Sequence, residues 1–246
     1  MRSSRLSSNN NRLCRKSKWF AYNEVMRVLD LLFPPRCVGC KRLGSYICVN
    51  CRKQLIIRQP LCPECDRQAV DGATHPGCLK KWGLDGLTTV FVNRGVIQKA
   101  IKTLKYRLVS DLAETLVELI PEKALLPQFK TREWAVCSIP LHKDRLKWRG
   151  FNQAEIMGTF LRQRLDARLA NGLLIRHAKR TPQADISKRE DRIKNAQGLF
   201  AVGTKTFPRR IILFDDVWTT GATMKEATKV LKRHGVEQVW GFTLAR

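Results

Sequence analysis

Residues 211–223, IILFDDVWTTGAT, place three local signals side by side. Ile211, Ile212, Leu213 and Phe214 form a short apolar run, entered through Phe207-Pro208-Arg209-Arg210. Such a run, without polar alternation, is the pattern of a strand buried on both faces of a parallel sheet. Asp215 and Asp216 stand at its carboxyl end. Val217-Trp218 and a turn of small residues, Thr219-Thr220-Gly221-Ala222-Thr223, follow. A helical pattern begins at Met224, with Met224, Ala227, Val230 and Leu231 on one face, and stops at Gly235.

Strand, acidic pair, hydroxyl-rich turn and helix start form an arrangement suited to binding phosphate. The N–H groups of the turn and of the first helical turn converge where the helix dipole favours an anion. Thr219, Thr220 and Thr223 add hydroxyls, and Gly221 allows close approach or a positive φ. Two carboxylates beside a phosphate need another task, and sugar hydroxyls or a magnesium ion supply one. The stretch resembles the phosphoribosyl pyrophosphate signature of type I phosphoribosyltransferases, an acidic pair followed by a TTG-type loop. The resemblance makes Asp215 and Asp216 the candidate catalytic pair, holding ribose hydroxyls. It also wraps residues 219–223, Ala222 included, around the 5′-phosphate. No GxxxxGK[ST] loop occurs, which disfavours a nucleoside-triphosphatase.

Lys and Arg outnumber Asp and Glu by 46 to 21, a formal net charge of +25. That excess predicts polyanionic partners: nucleic acid, phosphorylated ligands or an anionic membrane surface. Six of nine cysteines fall in three CxxC pairs, which is metal spacing and implies a reducing compartment. No apolar core of a signal peptide and no run of about twenty apolar residues occur. The expected location is therefore the cytoplasm, with peripheral contact at the inner face of the membrane as a variant.

Taken in order, residues 1–18 read as disordered from their Ser, Asn and Arg content. Residues 19–82 read as an amphipathic helix, ending at Pro34-Pro35, followed by a cysteine-rich module. The module runs Cys37-x2-Cys40, Cys48-x2-Cys51, Cys62-x2-Cys65 and His75-x2-Cys78. Each CxxC places two thiolates on one knuckle, half of a tetrahedral zinc site. The plainest pairing sets Cys37, Cys40, Cys48 and Cys51 on one zinc, and Cys62, Cys65, His75 and Cys78 on a second. An interleaved pairing is the alternative, and the second site depends on His75. Four protein ligands leave no open position, so the zinc is structural.

Residues 83–246 read as one α/β domain. The spacing predicts a linker at 82–88, a strand at 88–92, and helices at 96–108 and 111–120. A core strand follows at 134–140, containing Cys137 as a buried small hydrophobe. Residues 141–153 are expected to form a basic loop carrying Lys143, Arg145, Lys147 and Arg149 at alternate positions, a candidate site for pyrophosphate or DNA. A helix at 154–169, a strand at 173–175, a polar basic stretch around 179–195, extended chain at 198–202 and a last strand at 236–244 complete the order. Alternating strands and helices predict a doubly wound, mainly parallel sheet. Trp82, Trp148 and Trp218 are candidate stacking surfaces for the bases of single-stranded DNA beside a cationic track, with burial in the core as the reading that fits each of them taken singly.

The cysteine knuckles, SIPLHKDRLKWRGFNQAE, RTPQADISKREDRIKNAQGLF and LFDDVWTTGAT together resemble the ComF family of competence and GntX-like proteins. Arg149-Gly150-Phe151-Asn152-Gln153 is the most specific part after the phosphoribosyl loop. The resemblance implies a zinc module fused to a type I phosphoribosyltransferase domain. In competence members it also implies a role with single-stranded DNA in natural transformation, alongside proteins of the uptake machinery. Phosphoribosyl pyrophosphate with magnesium is the implied ligand. Phosphoribosyl transfer to a small nitrogen acceptor is the alternative function. The chain departs from the family pattern at Ser138, where relatives carry proline, and at His75, where they carry cysteine.

Overall fold

The computed structural model describes residues 34–106, 110–177 and 198–246. The expectations for 1–18, for the helix at 19–33 and for the stretch at 179–195 lie outside the described residues. In chain order the elements are α1 (Val49–Arg52), β1 (Gly86–Phe91), α2 (Gly95–Tyr106), α3 (Ser110–Glu118), β2 (Trp134–Ser138), α4 (Lys143–Arg149), α5 (Gln153–Arg164), β3 (Arg168–Leu169), β4 (Leu174–Arg176), β5 (Phe200–Val202), β6 (Arg210–Val217), α6 (Ala222–Arg233) and β7 (Gln238–Ala245). Five strands pair in parallel in the order β1-β7-β6-β2-β3.

The apolar run at 211–214 is the middle strand, and its period of two splits the interior into two cores. Ile212 and Phe214 pack with Val96, Ile97 and Leu104 of α2, Leu112 and Leu116 of α3, and Met157 and Leu161 of α5. Ile211 and Leu213 pack on the other face with Met224, Ala227 and Leu231 of α6. Helices therefore cover both faces, as expected for a doubly wound sheet.

Four sequence expectations need correction. Residues 82–88 are not a loose linker: Leu84 is fully buried, and Asp85 accepts from Val239 N at 2.7 Å and pairs with Lys232 at 2.8 Å. The strand accordingly begins at Gly86. The helix expected to reach 169 ends at Arg164, because Asp166 turns left-handed (φ 47) and Ala167 N returns to Arg162 O at 3.0 Å. Arg168 and Leu169 then form the edge strand β3. The strand near 173–175 does not join the main sheet; β4 and β5 form a separate antiparallel pair. Residues 141–153 are not a continuous loop: 143–149 form α4. His142 Nδ1 caps α4 by accepting from Asp144 N at 3.3 Å, and Gly150 closes it at φ 76.

The cysteine module is built into the sheet. Ile57 bridges Phe91 antiparallel, and Ala73 bridges Gly86, so the module borders the free edge of β1. Cys37, Val38, Ile47 and Cys51 belong to the same core as Val90, Phe91 and Val96.

Candidate functional site

Residues 218–223 form the turn at the carboxyl end of β6. Gly221 has φ 72 and occupies the N-cap of α6, where no side chain caps the helix. Beyond the Ala222 N–H, the next helical N–H groups have no side-chain cap and point toward an outside acceptor. Thr220 Oγ1 accepts from Ala222 N at 3.3 Å, which sets the turn. A cavity of about 90 Å³ opens over it, lined by Asp215, Trp218, Thr219, Gly221, Thr223 and Thr243. Trp218 lies under the turn and is only 4% exposed, so it takes the core role and is unavailable for base stacking. A Cβ on Gly221 would lie 2.2 Å from the Trp218 ring, so packing as well as φ excludes any other residue there.

The two aspartates diverge, as neighbours on a strand must. Asp215 faces the cavity, and its Oδ1 accepts from Asp216 N at 2.8 Å. Asp216 is buried on the other side of β6. Its Oδ2 takes Lys105 Nζ at 2.9 Å and Gln153 Nε2 at 3.1 Å. Burial first, and then the neighbouring Asp216 charge, raise the Asp215 carboxyl well above the usual carboxylate range. The pair therefore does not form a two-carboxylate chelate. A magnesium ion would fit here only as one carried on a ligand's own phosphates with Asp215 beside it.

Four positions of the RGFNQ segment, Arg149, Gly150, Asn152 and Gln153, have a physical role. Arg149 Nη1 donates to Gln153 Oε1 at 3.1 Å, and Gly150 makes the left-handed turn out of α4. Asn152 caps α5 through Ala154 N and donates from Nδ2 to Ile139 O at 3.0 Å. Gln153 then reaches Asp216. The segment thereby ties the end of β2 to the acidic pair at the end of β6.

Conversion of the basic segment to a helix redistributes its charges. Lys143 and Lys147 share one side of α4, and Arg145 and Arg149 share another. Lys143, Arg145 and Lys147 are exposed. Trp148 is 69% exposed and meets Tyr106, 62% exposed, edge to face at 5.9 Å. Two large aromatic rings thus stand in solvent among lysines and arginines. Arg176 approaches the same region from β4. It lies over the Phe200 ring, its Nη1 donates to Pro140 O at 3.5 Å, and its Nε is buried without a partner among the described residues. Burial, then the positive charge of Arg145, lower the guanidinium's pKa, with Asp215 opposing. The sequence offers Gln153 within RGFNQ and Lys105 within a lysine-rich helix, but not that both meet Asp216. Tyr106 and Arg176 carry no local signal, because Trp148 and Phe200, which they meet, lie far away in the chain.

In the cysteine module the structure brings together Cys37, Cys40, Cys48 and Cys51, and separately Cys62, Cys65, His75 and Cys78. The ligand atoms of each set lie within 4.8 Å of one another, which resolves the pairing in favour of consecutive knuckles. Four sulfurs about 2.3 Å from one ion would sit about 3.8 Å apart; Cys40 Sγ and Cys48 Sγ are 3.5 Å apart. Burial and then the adjacent Cys37 and Cys48 thiols push Cys51 up to about 12, so four thiolates need a cation to coexist. His75 turns Nδ1 to Cys65 Sγ at 3.4 Å, and its Nε2 lies 3.0 Å from Gln68 O, the outer partner that orients a ligating imidazole.

Of the three CxxC knuckles, Cys37–Cys40 and Cys62–Cys65 are copies. Cys37 N bonds Arg42 O and Lys41 N bonds Cys37 O; Cys62 N bonds Arg67 O and Asp66 N bonds Cys62 O. Lys41 and Asp66 both take positive φ, 67 and 60. The repeated P-x-C-x-x-C-x-R at Pro35 and Pro60 is the sequence signal for this.

Residues 28–79 match the family model described as a double zinc ribbon domain. Competence protein F of Haemophilus influenzae is 32% identical over 236 residues, 85% of this chain and 97% of that protein. DNA utilization protein YhgH of Escherichia coli is 29% identical over 223 residues, 85% of this chain and 97% of that protein. Competence protein ComFC of Streptococcus pneumoniae is 29% identical over 212 residues, 76% of this chain and 87% of that protein. Among the described residues no helix is long and apolar enough to cross a membrane. With its cysteines gathered into two ribbon sites ahead of a parallel α/β sheet, the chain belongs to the ComF family of competence and DNA-utilization proteins.

Proposed function

We propose that this protein handles single-stranded DNA in natural transformation and binds phosphoribosyl pyrophosphate, with its magnesium, at the turn 219–223. The observation that carries the ligand reading is the uncapped start of α6 behind Gly221, with Asp215 facing the same cavity. The helix terminus suits a 5′-phosphate, and Asp215 suits the ribose hydroxyls. Arg176 supplies positive charge toward Asp215 for the pyrophosphate end, with Arg145 close to Arg176. DNA would run over α4, where Lys143, Lys147 and the Tyr106–Trp148 pair combine cations with base-stacking surface. Titration calorimetry with phosphoribosyl pyrophosphate and magnesium tests the site. Binding is expected in the native protein and lost in Asp215→Ala with Thr223→Ala; unchanged binding in that double variant removes the assignment. Fluorescence anisotropy with a labelled single strand tests the DNA surface, and affinity should fall steeply with salt.

If the site turns over, its chemistry is transfer of the phosphoribosyl group to a nitrogen acceptor with release of pyrophosphate. Such a reaction needs positioning and charge stabilisation rather than a protein nucleophile. Pyrophosphate release in the presence of candidate acceptors distinguishes transfer from binding alone.

A further inference from the structure

The Cys62–Cys65 knuckle, the second of the two copies, reaches both ends of the turn at 219–223. Glu64, between Cys62 and Cys65, has a side chain only 9% exposed, with Oε1 3.1 Å from Lys225 Nζ and Oε2 2.6 Å from Lys80 Nζ. Lys225 lies in the first turn of α6, and its N–H bonds Gly221 O at 2.8 Å. The other end of the turn is held by a different acid of the same knuckle. Asp66, in the left-handed conformation the knuckle imposes, pairs with Arg246 Nη2 at 2.7 Å. Arg246 lies 6.0 Å from the Trp218 ring, and Trp218 N bonds Ala245 O at 2.8 Å. That ring is the one packed beneath Gly221.

We propose that the second knuckle is a positioning element for the ligand turn, with Glu64 and Asp66 as its positioning residues. The proposal rests on the reading of 219–223 as a phosphate site. Closing the knuckle around its ligands sets Glu64 and Asp66 at fixed separation. Their two cationic partners then set the angle of α6 and the height of Trp218. A half-buried ion pair of this kind is less screened by water than a surface pair.

Electrostatics alone makes the opposite forecast for Glu64. Removing a carboxylate near a phosphate site should tighten anion binding; removing a strut should loosen it. The experiment measures phosphoribosyl pyrophosphate binding by calorimetry in zinc-loaded native protein, Glu64→Gln and Asp66→Asn, with zinc content assayed in each. It also measures amide hydrogen exchange in the absence of ligand. Affinity about 5- to 20-fold weaker at unchanged zinc content is expected in each variant, the span of a modest coupling between sites. Exchange at 219–224 should speed up several-fold while the centre of β7 is unchanged. Lys225→Met cuts the same strut away from the metal ligands and should reproduce the exchange change. Unchanged or tighter binding, or unchanged exchange in all three variants, overturns the proposal. If native protein binds no phosphoribosyl pyrophosphate, the ligand reading fails by itself, and the exchange measurement still decides whether the knuckle holds the turn.

Discussion

Gln153 and Asp216, 63 positions apart, meet through a 3.1 Å hydrogen bond in the interior, beside the Lys105–Asp216 ion pair. The second aspartate of the acidic pair is thereby a structural anchor, and the first alone faces the cavity.

Lys105→Met leaves the buried Asp216 carboxylate with Gln153 as its only side-chain partner among the described residues. A loss of about 1–3 kcal/mol of stability at neutral pH is expected, because the penalty is that of an underpaired buried charge. Adding Asp216→Asn should restore most of it, and a double-mutant cycle by urea denaturation measures the coupling.

Asp215 makes a pH prediction of definite sign. Its folded carboxyl holds a proton more tightly than the unfolded chain does, since burial and Asp216 oppose ionisation. The folded state therefore binds more protons between the ordinary carboxylate range and the raised value. Stability from this group is full at low pH and is lost as pH rises through the raised value. Asp215→Asn should raise the melting temperature at pH 8 while its advantage shrinks toward pH 5. The same variant should bind phosphoribosyl pyrophosphate poorly, a stability gain at the cost of function.

Gly221→Ala should displace the turn. The added methyl meets the Trp218 ring at 2.2 Å and the backbone holds φ 72, so strain and overlap act together. Expected are a destabilisation of about 1–3 kcal/mol and loss of ligand binding, read by thermal denaturation and calorimetry.

Metal removal should separate the two ribbon sites. Cys37 and Cys51 are part of the sheet core, whereas the Cys62, Cys65, His75 and Cys78 site lies outside it. Two zinc equivalents should be released under a strong chelator in denaturant. Cys51→Ser should lower the melting temperature more than Cys78→Ser. His75→Cys, which sets a thiolate in place of the imidazole, should retain full zinc.

Trp148→Ala and Tyr106→Ala should weaken single-strand binding by about 1–3 kcal/mol each, the worth of one stacked base. Both rings are mostly exposed, so folding stability should change by less than about 0.5 kcal/mol. Anisotropy titration and thermal melting check the two halves of this statement.

Much of the fold was legible because its signals are local. The apolar run at 211–214, the glycine stop at Gly235 and the CxxC spacing each lie within a few residues, and each appears where expected. Residues 141–153 were misread because alternating basic residues look like an extended loop, while the helix signals, a histidine cap and Gly150, are weaker. The strand at 173–175 was legible as a strand but not as one outside the main sheet. Its partner at 200–202 lies beyond an intervening segment, and no local pattern names it.

By itself the sequence determined the α/β class, the candidate metal ligands and the position of the turn at 219–223, because periodicity, thiol spacing and turn chemistry act over short range. Tertiary structure alone decided which cysteines share a site, which aspartate faces the cavity and which tryptophan is free to stack. Those outcomes depend on which surfaces meet after the chain folds back on itself. Gln153 against Asp216, Asp66 against Arg246 and Trp218 beneath Gly221 are contacts that burial selects.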